Sequence, residues 1–174
     1  MIYYSDENIL IRDLQESDAR IITDEEVAQG WHQTIDKYLI RLKDQAEGIS
    51  INLVAEYKGK VAGYINVYPG RKAGPFQHGL WPEIVDFGVL EKYRCNGIGS
   101  KLIDIAEEIA GRYADTVYLG VGLNRSYGAA QRMYAKRSYV PDGTGAWYGR
   151  VQCTPYENYC VDDDLILYLT KKLK

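Results

Sequence analysis

The sequence predicts an α/β protein with a mixed sheet, and three observations carry that reading. Short β-rich runs and amphipathic helical stretches are interspersed along the chain. Lys58-Gly59-Lys60, set between two apolar runs, signals a β-hairpin. A third apolar run, Val85-Asp86-Phe87-Gly88-Val89-Leu90, leads into a glycine-bearing loop and then a helix. The resulting order is strand, two helices, three strands, helix, strand, helix and further strands. It lacks the regular strand–helix alternation of a doubly wound nucleotide-binding fold.

Ile9-Leu10-Ile11-Arg12 reads as the first strand, and the polar residues 13–18 as a loop into a helix. Helical periodicity follows over 24–30 and over 35–46, where Ile35, Leu39, Leu42 and Ala46 share a face. Residues 49–57 and 61–68 form the two arms of the hairpin. Residues 69–82 are rich in Gly and Pro and carry His78 and Trp81. A loop of that length with apolar tips is more often functional than idle, so those two side chains are candidate walls of an acceptor site, or simply a loop packing on itself. Residues 84–90 are the next strand. Residues 98–110 repeat Ile98, Leu102, Ile105, Ala106 and Ile109 at helical spacing. A strand over 116–123, interrupted by Gly120 and Gly122, precedes a helix over 126–136 with Ser126 near its N-cap. Tyr139-Val140, 147–151 and 165–169 complete the strands, and Asp162-Asp163-Asp164 reads as a solvated turn.

A chain of 174 residues with 46% hydrophobic and 26% charged residues is expected to form a single domain, 1–174, with a proper core. A net charge of −3 disfavours a nucleic-acid partner. The apolar runs are far shorter than a membrane span, and the first residues lack a basic region followed by an apolar stretch, so the expected location is cytoplasmic. Cys95, Cys153 and Cys160 have no metal-site spacing, and with only His32 and His78 beside them no metal centre is expected. A Cys153–Cys160 bridge is disfavoured in a reducing compartment. The 16 tyrosines suit half-buried sheet faces and pocket walls.

Chemistry concentrates in Arg94-x-x-Gly97-x-Gly99. Alone, such a string arises by chance on the order of 0.1–0.2 times in a chain of this length. Its position between a strand and an amphipathic helix gives it meaning. The loop leaves backbone N–H groups at the positive end of a helix dipole, an arrangement that binds phosphate. Two rival phosphate loops fail: no G-x-x-x-x-G-K-[ST] string occurs, and Gly97-x-Gly99 lacks the third glycine of a dinucleotide fingerprint.

On these residues the sequence resembles the GCN5-related N-acetyltransferase (GNAT) superfamily. Arg94, Gly97 and Gly99 match its acyl-CoA signature, [Q/R]-x-x-G-x-[G/A]. Val121-Gly-Leu-Asn124 is similar to the family's fifth strand with its terminal asparagine. Ala130-x-x-Met133-Tyr134-x-Lys136-x-x-Tyr139 is similar to its A-x-x-[L/F]-Y-x-K-x-G-F segment, with Ser138-Tyr139 in place of Gly-Phe at a packing corner. The similarity follows the order of elements over 9–172 and reaches motif level over 83–139.

The resemblance implies a mostly antiparallel sheet with helices on both faces, and acetyl-CoA as co-substrate without a metal. It implies that the backbone of Cys95, Asn96, Gly97, Ile98, Gly99 and Ser100 holds the CoA diphosphate, with glycines where a Cβ would block the phosphates. Arg94 would add a charge-assisted contact, or else pair with Glu91. Main-chain bonds to the pantetheine arm would come from Phe87, Val89 and Leu90, and the Val89 N–H would also stabilise the oxyanion. Asn124 would bond the pantetheine amide, or cap the next helix. Tyr134 would protonate the departing thiolate, or be one more core tyrosine.

Glu83 and Asp86 are the candidate bases. Glu83 lies six residues before Val89, as the catalytic glutamate does in histone-acetylating members, and strand alternation sets Glu83 and Val85 on one face with Asp86 on the other. Glu83 is preferred, and either carboxylate could instead bind a cationic substrate. Cys95, at a helix N-terminus, favours a thiolate but is read as incidental. Lys101 is expected to be solvated.

The first functional expectation is acetyl transfer from acetyl-CoA to the primary amine of a small molecule, by direct attack in a ternary complex. The alternatives are a non-catalytic acyl-CoA-binding or regulatory module and a protein lysine or N-terminal acetyltransferase. No membrane partner is expected, and family habit suggests a homodimer through the C-terminal strands.

Overall fold

The computed structural model describes residues 1–70, 74–76, 78–79 and 81–174. The chain divides into two compact units, Met1–Pro69 with Ile84–Ile109, and Gly70–Glu83 with Ala110–Lys174. It is an α/β protein whose defined strand pairs are antiparallel.

In the first unit the strands lie in the order β1 (Ile2–Ser5), β2 (Ile9–Asp13), β3 (Ile51–Tyr57), β4 (Lys60–Tyr68) and β5 (Glu83–Val89, whose first residue falls in the second unit). The hairpin between β3 and β4 turns at Lys58 and Gly59, with φ of 50° and 75°, the left-handed pair that matches the twist of the flanking strands. Helix α1 (Glu16–Ala28) starts well before the expected periodicity. Asp18 explains this: its carboxylate accepts from the Gln15 N–H at 2.7 Å and from Arg12 at 2.6 and 2.9 Å, closing the first turn. The inner face of α1 holds Asp18, Ala19, Ile22, Thr23 and Glu26, a helical stripe hidden from hydropathy by three polar members.

Helix α2 (Asp36–Ala46) joins α1 over one face of β3 and β4, around Leu14, Ile22, Tyr38, Val54 and Tyr64. Helix α3 (Ile98–Ala110) covers the other face. A Cβ on Gly63 would lie 3.3 Å from Leu102 of α3, whereas the next residue, Tyr64, points to α1 and α2. Ile98, Leu102, Ala106 and Ile109 of α3 are buried, as its periodicity predicts, whereas Ile105 is only half-buried and Ile103, outside the expected set, is buried.

In the second unit β6 (Thr116–Gly122), β9 (Leu165–Lys172), β7 (Val140–Tyr148) and β8 (Val151–Gln152) are neighbours in that order. Here α4 spans Gly128–Lys136, preceded by a short 3-10 turn at Arg125–Tyr127. The two expected strands at 139–140 and 147–151 are largely one strand, β7. Its register shifts between Pro141 and Ala146, where Gly143 and Gly145 take φ of 91° and 80°. The core here is aromatic: Tyr118, Trp147 and Tyr168, with Phe76 and Trp81 against them. Trp81 thus packs on Phe76 (centroids 5.4 Å apart), while His78 is exposed. Arg71, Lys72, Ala73, Gln77 and Leu80, which belong to the expected functional loop, lie outside the described residues. All three cysteines are free thiols.

Candidate active site

Strand β5 is not a regular strand. Asp86 takes φ +50°, a left-handed kink in mid-strand, so the simple alternation that would separate Glu83 and Asp86 onto opposite faces does not run through it. Glu83 and Ile84 are both buried. Two side chains hold the kink. Asn66 of β4 donates to the carbonyls of Val85 at 3.1 Å and Asp86 at 3.2 Å. Arg41 of α2 pairs with Asp86 Oδ2, through Nε at 2.9 Å and also through Nη2. Arg41 also donates to Tyr68 Oη, whose own hydroxyl donates to Asp44 at 2.5 Å. Asp86 is therefore an ion-pair partner with a structural task.

Past β5 the chain forms a 3-10 turn at Glu91–Tyr93 and then the glycine loop. Both backbone groups of Leu90 are engaged: its N–H donates to Ala62 O and its carbonyl accepts from the Tyr93 N–H, each at 2.9 Å. A pantetheine contact to Leu90, expected above, has no free N–H to use. Cys95 and Gly97 take φ of 64° and 78°, and α3 opens at Ile98. Among the described residues, no backbone acceptor is taken by the N–H groups of residues 95–100. Asn96 braces the loop by donating to the carbonyls of Tyr93 and Arg94, each at 3.1 Å.

The two glycines also have distinct tasks within the fold. A Cβ on Gly97 would meet nothing within 4 Å, so glycine is needed there for its backbone conformation. A Cβ on Gly99 would point at Phe87 (3.4 Å) and Val89 (3.5 Å), so this glycine lets α3 sit close on β5.

Arg94 pairs with Glu91 at 3.4 Å and reaches Val89 O at 3.3 Å, and its guanidinium lies 5.8 Å from the Trp31 ring centroid. Lys101, expected in solvent, instead stands over the Tyr4 ring at 4.2 Å. Cys95 is exposed.

Asn124, Glu83 and Tyr134 belong to the second unit. Asn124 caps the 3-10 turn that precedes α4, whose own N-cap is Tyr127: its Oδ1 accepts from the Ser126 N–H at 2.9 Å and from the Ser126 hydroxyl, and its Nδ2 donates to Asp163 at 3.1 Å. Nδ2 carries a second N–H beyond the one given to Asp163. Tyr134, on α4, is buried with its ring edge-on to Tyr139 at 5.5 Å. Its hydroxyl makes no hydrogen bond to a described residue. Burial, with a smaller contribution from Tyr127, pushes its pKa well above the ordinary tyrosine value, so the group is a neutral donor throughout the physiological range. No cluster of three potential metal ligands occurs among the described residues, and no described helix is long and apolar enough to cross a membrane.

The model of the acetyltransferase (GNAT) family matches residues 11–139. The chain belongs to that family. This GNAT enzyme is accordingly an acyltransferase with acetyl-CoA as its co-substrate. No curated protein matches the chain, but solved structures do. A putative acetyltransferase from Salmonella typhimurium, yncA, solved with acetyl-CoA, is 18% identical with a TM-score of 0.67, over 97% of this chain and 95% of that one. An N-acetyltransferase from Staphylococcus aureus Mu50 is 20% identical with a TM-score of 0.69, over 97% and 100%. A ribosomal-protein-alanine N-acetyltransferase from Brucella melitensis is 20% identical with a TM-score of 0.66, over 94% and 99%. At these identities the likeness establishes the fold.

Proposed function

We propose that this GNAT enzyme transfers the acetyl group of acetyl-CoA directly to the primary amine of a small molecule, in the cytoplasm. The observation that carries the proposal is the run of backbone N–H groups over residues 95–100, at the N-terminus of a 13-residue helix, without backbone acceptors among the described residues. Such a run takes a diphosphate through main-chain hydrogen bonds and the helix dipole. Arg94 swings from Glu91 to add a charge-assisted contact. The pantetheine arm follows β5 through the main chain of Phe87 and Val89.

In the transfer step the amine nitrogen attacks the thioester carbon. Negative charge gathers on the carbonyl oxygen, where the Val89 N–H stabilises it. The C–S bond then breaks and CoA leaves as a thiolate. Tyr134 donates a hydrogen bond to that sulfur. A phenol held above its ordinary pKa is a weaker acid than an alkyl thiol of about 8.5, so this bond stabilises the thiolate and solvent completes the protonation. Glu83 takes the amine proton through a water. Asp86 is the less suitable base because Arg41 holds its carboxylate.

An acidic balance and a surplus of tyrosines suit a cationic, partly apolar amine. A second reading, a protein N-terminus as acceptor, is favoured by the neighbours. Besides the Brucella protein, the RimL ribosomal L7/L12 alpha-N-protein acetyltransferase shares the fold at 12% identity and a TM-score of 0.68. Thiol release from acetyl-CoA, measured with a panel of alkylamines, arylalkylamines, polyamines and short peptides, separates the two. Turnover confined to small amines supports the first reading, turnover confined to peptides replaces it with the second, and turnover of neither overturns both.

A further inference from the structure

Directly beneath the thioester-binding part of β5 lies a buried carboxylate that the mechanism above does not use. Glu26 of α1 is fully buried, and among the described residues it has no basic partner within ion-pair distance. It accepts hydrogen bonds from two phenols instead, Tyr38 of α2 on Oε2 at 2.6 Å and Tyr64 of β4 on Oε1. The two rings meet edge to face, with centroids 5.5 Å apart, and the Lys37 ammonium stands 4.8 and 5.2 Å from their centres. Burying a lone carboxylate is costly, and apolar residues of the same size would pack α1 onto the sheet more cheaply.

What this arrangement gains is the placement of Tyr64. The ring tip of Tyr64 occupies the space where a side chain on Gly88 would begin. A Cβ there would lie 2.8 Å from both Cζ and Oη of Tyr64. On the neighbouring strand, Gly63 comes so close that its own Cβ would sit 2.7 Å from the Gly88 carbonyl oxygen. Gly88 is thus held between the tip of Tyr64 and the backbone of β4, and its carbonyl carbon belongs to the peptide that carries the Val89 N–H. The Tyr64 tip bounds the Gly88 α-carbon on one side, the backbone of β4 at Gly63 crowds its carbonyl oxygen, and Glu26 holds the Tyr64 hydroxyl.

We infer that Glu26, with Tyr38 and Tyr64, is a positioning network that fixes the Gly88–Val89 peptide so that the Val89 N–H points at the thioester carbonyl. The inference rests on the proposed role of that N–H. Oxyanion donors act through preorganisation, and a small misplacement has a large cost in rate.

The test uses the full chain with acetyl-CoA 13C-labelled at its carbonyl. In the wild-type complex a hydrogen bond from Val89 moves the carbonyl resonance downfield of its position in free acetyl-CoA. In Glu26→Gln and Tyr64→Phe the network predicts that at least half of that shift is lost and that kcat falls about tenfold. The affinity for CoA, measured by calorimetry, stays within about twofold because the diphosphate loop is untouched. Should Tyr64→Phe fail to fold, Tyr38→Phe removes the other donor to Glu26 and predicts a smaller loss of the same kind. A lower melting temperature with shift and kcat both retained would make the network merely structural and overturn the inference. A wild-type complex with no downfield shift would instead overturn the assignment of Val89 itself, and the inference with it.

Discussion

Replacing Tyr134 by Phe removes one oxygen from a buried ring whose hydroxyl bonds to no described residue. Folding should barely register the change, whereas a thiolate departing beside that hydroxyl would. We expect Tyr134→Phe to lower kcat by about 10²-fold with the CoA dissociation constant unchanged. Unchanged turnover would remove Tyr134 from the mechanism. The sequence singles out Tyr134 because the pattern around it is local. The same holds for Gly97 and Gly99, whose tasks within the fold are a left-handed backbone and close packing of α3 on β5. Arg41, Glu26, Tyr64 and Trp31 were not legible. Their partners lie up to 63 positions away, and nothing in a local window distinguishes Arg41 from the other basic residues on the chain's helices. Ser138 falls between these cases. It stands where the family's pattern has glycine, and its φ of 67° explains the preference: it ends α4 in the left-handed region. Ser138→Gly should therefore stabilise the protein by roughly 0.5–1 kcal/mol, less than the full left-handed cost because glycine also loosens the unfolded chain. A shift of the urea midpoint in either direction decides it.

At the scale of elements, strand β5 depends on α2 for its shape. Arg41 reaches from α2 to the kinked Asp86, and with Asn66 it accounts for how a non-glycine residue sustains φ +50° there. Arg41→Ala should cost about 1.5–3 kcal/mol, the range for hydrogen bonds to a charged partner. By contrast, Arg20→Ala removes a pair with Asp24 that is 3.9 Å long and well exposed, and should cost under about 0.5 kcal/mol. Urea denaturation of the two variants compares them directly, and equal losses would refute the role given to Arg41. Elements were readable where hydropathy is periodic, as over the whole length of α3. They were lost where polar residues carry the inward face. Helix α1 was cut short because Asp18, Thr23 and Glu26 are buried through hydrogen bonds rather than hydrophobicity. Strand β7 was split because its bulge is written in Gly143 and Gly145, which read as a turn.

For the molecule as a whole, buried tyrosines set an alkaline limit on stability. Desolvation chiefly, aided for Tyr38 and Tyr64 by the Glu26 carboxylate, holds Tyr38, Tyr64 and Tyr134 well above the ordinary value near 10. Above pH 10 the unfolded chain releases these protons and the folded one retains them. The unfolded state then binds fewer protons, and stability falls as pH rises. Each tyrosine contributes up to about 1.4 kcal/mol per pH unit. Urea midpoints should be steady up to about pH 10 and drop steeply above it, and Tyr64→Phe should soften the drop. A midpoint unchanged from pH 9 to 11.5 would contradict the burial of these hydroxyls.

The central claim is that the N–H groups of residues 95–100 hold the diphosphate of acetyl-CoA. Calorimetric titration of the wild type and of Gly97→Glu with acetyl-CoA and CoA, with NAD as comparator, tests it most directly. The account predicts micromolar binding of both CoA species by the wild type and none of NAD. It also predicts loss of CoA binding in a Gly97→Glu protein that still melts cooperatively, because glutamate strains the φ of 78° and sets a negative charge against the phosphates. CoA binding retained in that variant, or absent from the wild type, would contradict it.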